Sequence, residues 1–461
     1  MNLEKVLEKF VDNVKNSNNY SSKEEITNSV KEVLEIVKKN KDKTPEEMID
    51  ILLEEPINCI NEIMNNNYPV EGFTVSIAVN NINAKLYGGN KSYKGSPITP
   101  DTMFDVASVT KFYTQIIACN LINDGYYKLS DKIVNLDDRF KNLEGLTVQD
   151  ILTFTAKFHT DGRIADMSSS EEAFKTLYNA HLDEIGTYNY NDIGMMIIKE
   201  ISEKITGMSY DELFKKYITD KLSLKNTHII VPKNKIHMLT GSPNIEIGKV
   251  NDPVANILGG YSGHAGVFTS SDDLIKLGQA SFDDKIIPEQ FQQNMYTPGI
   301  KSNRGIMGNT FVTTEKGTDD SFSDRLDSSM AFSVQGSTRA QMNAGKYILD
   351  RNEYINASTI LLNPSSISIE RAKEQEKIIN LAREEKGLNP LSLVKHFMAN
   401  VNGDLIEYDL IDPRQMLTGS MGINKLIASN VKTQLKIMLL LEIIKEYESE
   451  YKENINIAKH I

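Results

Sequence analysis

The sequence predicts an α/β fold, and three stretches carry that prediction. In "EGFTVSIAVNNINAKLYGG", two β-rich runs flank Asn80-Asn81, the pattern of a hairpin with a two-residue turn. From Thr102 to Gly125 the apolar period becomes helical: Val109, Phe112, Ile116, Cys119 and Leu121 or Ile122 can share one buried side, and Asn123-Asp124-Gly125 ends the run. Far downstream, "GKYILD", "RNEY" and "ASTILLNP" return to strand-like composition.

Outside this α/β region, both ends read as helical extensions. Between residues 1 and 68, Leu3, Val6, Leu7, Phe10, Val11 and Val14 recur at helical spacing, as do Ile26, Val30, Val33 and Val37. A third helix would start at Thr44-Pro45-Glu46-Glu47, which combines a threonine cap, proline at the first helical position and a capping-box glutamate. Residues 371 to 461, including "INKLIASNVKTQLKIMLLLEIIKEY", read the same way, leaving 69 to 370 as the central domain.

Composition narrows the class. The 461 residues are 40% hydrophobic and 25% charged, an ordinary globular mixture. A formal net charge of -12, with no compensating basic patch, argues against a nucleic-acid or anionic-membrane partner. The N-terminal "MNLEKVLEKF" has no apolar signal-peptide core, and the longest apolar run, near residue 440, is broken by Glu442 and too short to span a bilayer. A cytoplasmic location is therefore expected. Cys59 and Cys119 both sit in helical apolar patterns and read as core. No histidine, cysteine and carboxylate cluster has clear metal-ligand spacing, so neither a metal nor a cofactor is expected.

Within the 102–125 helix, Ser108 and Lys111 stand three residues apart, hence on one face. A lysine made partly neutral by burial can serve as a base for a serine nucleophile, and the positive end of the helix dipole favours an oxyanion. A serine at a helix start also caps it, and the Ser-x-x-Lys spacing recurs at Ser392, Ser429 and Ser449, so spacing alone leaves both readings open.

Ordered context carries more information. "TPDTMFDVASVTKFYTQIIACNLINDGYYKLSDKI", "LTVQDILTFTA" and "YNYNDIGMMIIKEISEKITGMSYDELFKKYI" together resemble blocks of the serine β-lactamase and penicillin-binding-protein superfamily, especially its class C β-lactamase-like and esterase branch. The resemblance covers about residues 70 to 370. It implies a β-lactamase/transpeptidase-like fold: an antiparallel sheet from residues near 70–98 and 325–365, with a mostly helical region inserted and the active site at the junction.

It also implies site residues. Ser108 would be the nucleophile, with Lys111 and Tyr190 handling protons. Tyr190-Asn191-Asp192 falls on the family's Tyr-x-Asn motif, with Asp192 where asparagine is commoner. That aspartate would contact substrate and Lys111, stabilise the lysine as a cation, or join the proton network. The Lys/His-Thr-Gly motif falls on Val334-Gln335-Gly336 in "MAFSVQGSTRAQMN", keeping the glycine and losing the cation. Gln335 and Gly336 would then line the substrate, the Ser337 amide would be the second oxyanion donor, and Arg339 would replace the missing charge. His264-Ala265-Gly266 is a competing third motif, but Ser270-Ser271-Asp272-Asp273 then starts a helix, so His264 reads as a loop residue near the cleft.

The implied function is a serine hydrolase cleaving a small-molecule or short-peptide ester or amide: an esterase, D-amino-acid peptidase or β-lactamase-like enzyme. The missing export signal weighs against a wall-facing carboxypeptidase, and Val334 weighs against an efficient β-lactamase. Asp192, Val334, and Phe154 where relatives often carry histidine motivate the alternative, a weak or inactive relative that binds a peptide or wall precursor. Oligomeric state is not legible.

Overall fold

A computed structural model describes residues 70–80, 82–92, 95–241, 246–282, 286–292, 330–336, 340–349, 352–364, 394–401, 404–411 and 455–460, with scattered residues at 32–58 and 373–392. Its centre is a six-stranded sheet in the order β13-β2-β1-β10-β9-β8. The strands are β1 (Val70–Val79), β2 (Ile82–Gly89), β8 (Met330–Gly336), β9 (Ala340–Leu349), β10 (Asn352–Pro364) and β13 (Ile455–His460). β1 and β2 pair Val79 with Ile82 across the expected two-residue turn, where Asn80 takes φ 50°, a left-handed conformation that asparagine tolerates.

Strand β1 is buried on both faces. Phe73, Val75, Ile77 and Val79 alternate with Thr74, Ser76 and Ala78, and all are under 4% exposed, so neither side faces water. On the Ala78 side, the register aligns Ala78, Ala357 and Ala344 across β1, β10 and β9. That row of small side chains lets the helix Ser271–Ala280 lie close against the sheet. A Cβ built on Gly278 would meet Ala357 at 3.2 Å and Met342 at 3.1 Å.

Residues between β2 and β8 form the inserted region. Its central helix, α1 (Thr110–Asn123), is buried at every residue from Thr110 to Leu121. The expected one-sided stripe is thus an under-reading: small and uncharged side chains such as Thr114, Ala118 and Cys119 allow packing all round. A second helix, α2 (Ile193–Thr206), packs against α1 and ends at Gly207 with φ 69°. A small sheet of β3 (Phe104–Asp105), β7 (Phe268–Thr269) and β6 (Thr227–His228) draws the loop before Phe268 onto the start of α1. β4 (Ala156–His159) and β5 (His181–Ile185) form a separate hairpin.

The extensions differ from expectation at the C-terminal end. Helical residues appear at 32–39, 47–58 and 373–384, but β11 (Val394–Val401) and β12 (Asp404–Ile411) form a hairpin, and β13 adds a parallel edge strand to β2. A purely helical C-terminal extension is therefore corrected. In "DLIEYDLI" Ile406, Tyr408 and Leu410 alternate with Glu407 and Asp409, and in "INIAKH" Asn456 separates Ile455 from Ile457, short strand periods that the lysine-rich surroundings obscured. The first predicted helix, the Thr44-Pro45-Glu46 start, Cys59 and the apolar run near residue 440 lie outside the described residues. Among the described residues, no helix is long and apolar enough to cross a membrane.

Candidate active site

The site is assembled at the entry to α1. Strand β3 ends at Asp105, and a tight 3-10 turn, Ala107–Val109, leads into the helix. Ala107 adopts φ 46°, a conformation that costs a residue with a side chain free energy and needs to be held. Asp105 supplies the hold: one carboxylate oxygen accepts from the Ala107 N–H at 2.9 Å, the other from the Asn251 N–H at 2.8 Å. The aspartate is 5% exposed, so these are charge-assisted bonds in a dry setting. Asp105 is a residue that motif reasoning passed over; its only signal was a carboxylate in an otherwise apolar strand.

Ser108 lies in this turn rather than in the helix. The helix cap is Val109, and no side chain caps it, which removes the capping reading of Ser108. Instead its Oγ accepts a hydrogen bond from Lys111 Nζ at 2.8 Å. Lys111 is 3% exposed and donates to two further oxygens, Asp192 Oδ1 at 2.7 Å and the His264 carbonyl at 3.4 Å. Three acceptors match the three N–H bonds of an ammonium, so the surroundings suit a charged lysine.

Asp192 precedes the first residue of α2. Burial alone would raise its pKa, but the charge of Lys111, then that of His264 and the Lys111 hydrogen bond, outweigh it and hold the carboxyl below its ordinary value. The side chain nonetheless keeps 46% of its surface exposed, so the pair lies at the cleft edge rather than in the core.

Tyr190 sits two residues before, 42% exposed, with its ring 4.8 Å from Lys111 Nζ in cation–π contact. The ring stacks on Phe154 at 5.3 Å between centroids and 15° between planes. Phe154 itself has φ 55°, and its carbonyl accepts from the Asn189 N–H at 2.7 Å. Where relatives often carry histidine, this chain places an apolar platform beneath the tyrosine. Asn191, only a spacer in the motif, ties the loop down: its amide nitrogen donates to the Ala156 and Asn189 carbonyls, and its oxygen accepts from the Gly194 N–H at 2.9 Å.

His264 lies under the site but does not present its ring to Lys111. The ring is 1% exposed, with Nδ1 2.9 Å from Ser262 Oγ and Nε2 3.0 Å from Asp252 Oδ1; only the backbone carbonyl reaches the lysine. Burial would raise the pKa of Asp252, but the hydrogen bond and charge of His264 hold it down. Thr114 Oγ1 fixes this loop by donating to the Gly263 carbonyl at 2.6 Å. Gly263 has φ 85° and abuts α2 so closely that a Cβ would stand 2.4 Å from the Met195 carbonyl oxygen.

β8 runs beside the Ala107–Val109 turn, as expected of the strand carrying Val334, Gln335 and Gly336. Gln335 pairs with Gln341 and Gly336 with Ala340. Ser337 and Arg339 lie outside the described residues. The fold thus brings Ser108, Lys111, Tyr190, Asp192 and the β8 backbone to one place, with His264 contributing through its main chain.

Comparison with known proteins bears on the fold and the family. The sequence profile described as Beta-lactamase matches residues 65–341. A protein described as a putative D-alanyl-D-alanine carboxypeptidase, from Salmonella paratyphi B, is 27% identical over 262 residues, covering 44% of this chain and 61% of that protein. The chain thus spans about three fifths of the length of the curated relatives it matches. Among solved structures, "EstCE1, a hydrolase with promiscuous acyltransferase activity" superposes with a TM-score of 0.54 at 15% identity, over 72% of this chain and 98% of that one. A class C β-lactamase from Rhodobacter sphaeroides gives 0.52 at 16% identity, over 70% and 97%. These likenesses support the β-lactamase/transpeptidase-like fold, and the profile match extends over more than half of the sequence: this chain belongs to the Beta-lactamase family.

Proposed function

We propose that the protein is a serine hydrolase that cleaves an ester or amide through an acyl-enzyme on Ser108. The observation that carries the reading is the buried Lys111 ammonium 2.8 Å from Ser108 Oγ, on a helix packed on all sides. A fixed charge at that distance stabilises the alkoxide that develops as the serine gives up its proton.

The chemistry runs in two steps. Ser108 Oγ forms a bond to the substrate carbonyl carbon, and the Ser108 amide holds the oxyanion, with the Ser337 amide, read from the motif alone, as second donor. Tyr190 acts as a relay: its phenol oxygen takes the serine proton as its own hydroxyl proton passes to the leaving oxygen or nitrogen, so collapse expels a neutral alcohol or amine and leaves Tyr190 as it began. Water then attacks the acyl carbon, releases the acid and restores Ser108. Lys111, paired with Asp192, acts as an electrostatic partner rather than as the proton acceptor. The substrates proposed are small acyl esters and short peptides, including those ending in D-amino acids, by analogy with the carboxypeptidase-like relatives.

The ion pair itself favours a second reading. By pinning Lys111 as a cation and offsetting its charge, Asp192 suits a cleft that binds an acyl ligand and turns it over slowly or not at all. One experiment separates the two. Purified protein is treated with a fluorophosphonate and with a fluorescent penicillin, and adducts are located by mass spectrometry. The hydrolase reading expects a Ser108 adduct that Ser108→Ala abolishes, followed by turnover of acyl esters, nitrocefin or D-amino-acid peptides. Labelling that survives Ser108→Ala, or none at all, overturns it.

A further inference from the structure

We infer that the β4–β5 hairpin carries a binding site for a divalent transition-metal ion of the zinc class, built from His159, Asp161 and His181. The site is separate from Ser108 and independent of the reaction proposed for it. Histidine nitrogens and a carboxylate oxygen are the donors that zinc prefers, and one such atom from each of the three residues lies within 4.8 Å of the others. A closed tetrahedral site, with bonds of about 2.0–2.1 Å, needs donors roughly 3.3 Å apart. The remaining closure falls on side chains that are 56%, 80% and 39% exposed for His159, Asp161 and His181, which have room to rotate.

The backbone builds this cluster. His159 and His181 are directly opposite each other in the antiparallel register, and their rings stack at 4.9 Å and 14°. The register shifts between Lys157 and Phe158, so Asp183 enters β5 as the extra residue of a bulge. From there its carboxylate reaches His159 Nδ1 at 2.5 Å, the carboxylate–imidazole contact that orients a metal-binding histidine. Asp161 approaches His181 Nε2 at 3.7 Å. Two stacked imidazoles and two carboxylates at one hairpin end make an arrangement that a dication would draw together. A bound ion would pin the strand pair whose far end, where Ala156 faces Ile185, leads to both Phe154 and the Tyr190 loop.

Sequence spacing gives no hint of this cluster, since the two histidines are 22 residues apart and only strand pairing unites them.

The test is calorimetric titration of the full chain, stripped with chelator and dialysed, with zinc chloride, with magnesium chloride as control. One zinc equivalent per chain at micromolar or tighter affinity is expected, with no magnesium binding. His159→Gln and His181→Gln should each weaken zinc affinity by about 10- to 100-fold or more, and Asp183→Asn by about tenfold. Zinc should raise the melting temperature of the wild type but not of the double His159→Gln/His181→Gln variant, whose metal-free melting temperature reports whether it folds. Protons compete for imidazole nitrogen, so zinc affinity should fall as pH is lowered. No zinc binding below 100 µM, or binding that the double variant retains, overturns the inference; retention would place the ion at other histidines.

Discussion

The two sides of the cleft are built on different principles. On the Ser108 side, α1 is buried around its whole circumference, and the turn before it is held by Asp105, 5% exposed, in a conformation the chain would not choose alone. On the Tyr190 side, a loop and hairpin stand partly in solvent: Tyr190 is 42% and Asp192 46% exposed. The floor is held by buried hydrogen bonds from Asp105, Lys111 and Thr114, whereas the rim is positioned by stacking and by Asn191. Substitutions of the groups that brace the floor should therefore disturb activity and stability together, whereas those of the nucleophile itself and of the rim should separate them.

The largest effect is expected at the nucleophile. Ser108→Ala should lower kcat/KM on any turned-over ester by on the order of 10⁴-fold, about 5.5 kcal/mol, with the melting temperature scarcely changed. A variant retaining more than a tenth of wild-type activity would remove the distinction between floor and rim at its centre.

Next is Asp105→Ala. It leaves the Ala107 and Asn251 amides without their charged acceptor and releases the strained turn, at a cost of about 3 kcal/mol. Urea unfolding and acylation rate should both register it; a loss of rate at unchanged stability would assign Asp105 to the chemistry rather than to the turn.

Tyr190→Phe keeps the stack on Phe154 and removes only the hydroxyl. Acylation should slow by about 10²-fold, roughly 2.7 kcal/mol, with unfolding midpoints unmoved. Equal losses in rate and stability would show the rim to be as structurally committed as the floor.

The smallest thermodynamic effect belongs to Asp192→Asn. The Asp192 end of the pair is nearly half exposed while Lys111 is buried, so the loss should exceed that of a surface pair yet stay modest, about 1–2 kcal/mol. Its folded pKa is depressed, so this contribution is fully present above the unfolded carboxylate pKa of about 3.9 and is lost as pH falls through the lower folded value. The stability gap between wild type and variant should be constant above about pH 5 and close in stronger acid. A gap that widens on acidification contradicts the assignment.

Much of this site was legible before any coordinates because its motifs are local. Ser108 and Lys111 meet through helical spacing, and Tyr190 and Asp192 flank one helix start, so a short window contains each pair. Residues joined over long distances were not readable. Lys111 and Asp192 form their ion pair across 81 positions of sequence, and His264 offers Lys111 a carbonyl where its imidazole was the group considered. Ser108 was ambiguous between cap and nucleophile because both need a hydroxyl at a helix entrance. The left-handed Ala107 turn moved it just outside the helix and resolved the matter.

What the sequence determined by itself is therefore what short-range sterics and periodicity control: the β1–β2 hairpin at Asn80, a helix within the 102–125 segment that stops before Gly125, and the order of the three motif blocks. Only the tertiary structure decided the charge environment of Lys111, the carboxylate that braces the nucleophile turn, the addition of β13 to the sheet edge and the pairing of His159 with His181. Those depend on which distant segments approach within a few ångströms, and hydrogen bonding and electrostatics in a buried site change sign or vanish over that distance.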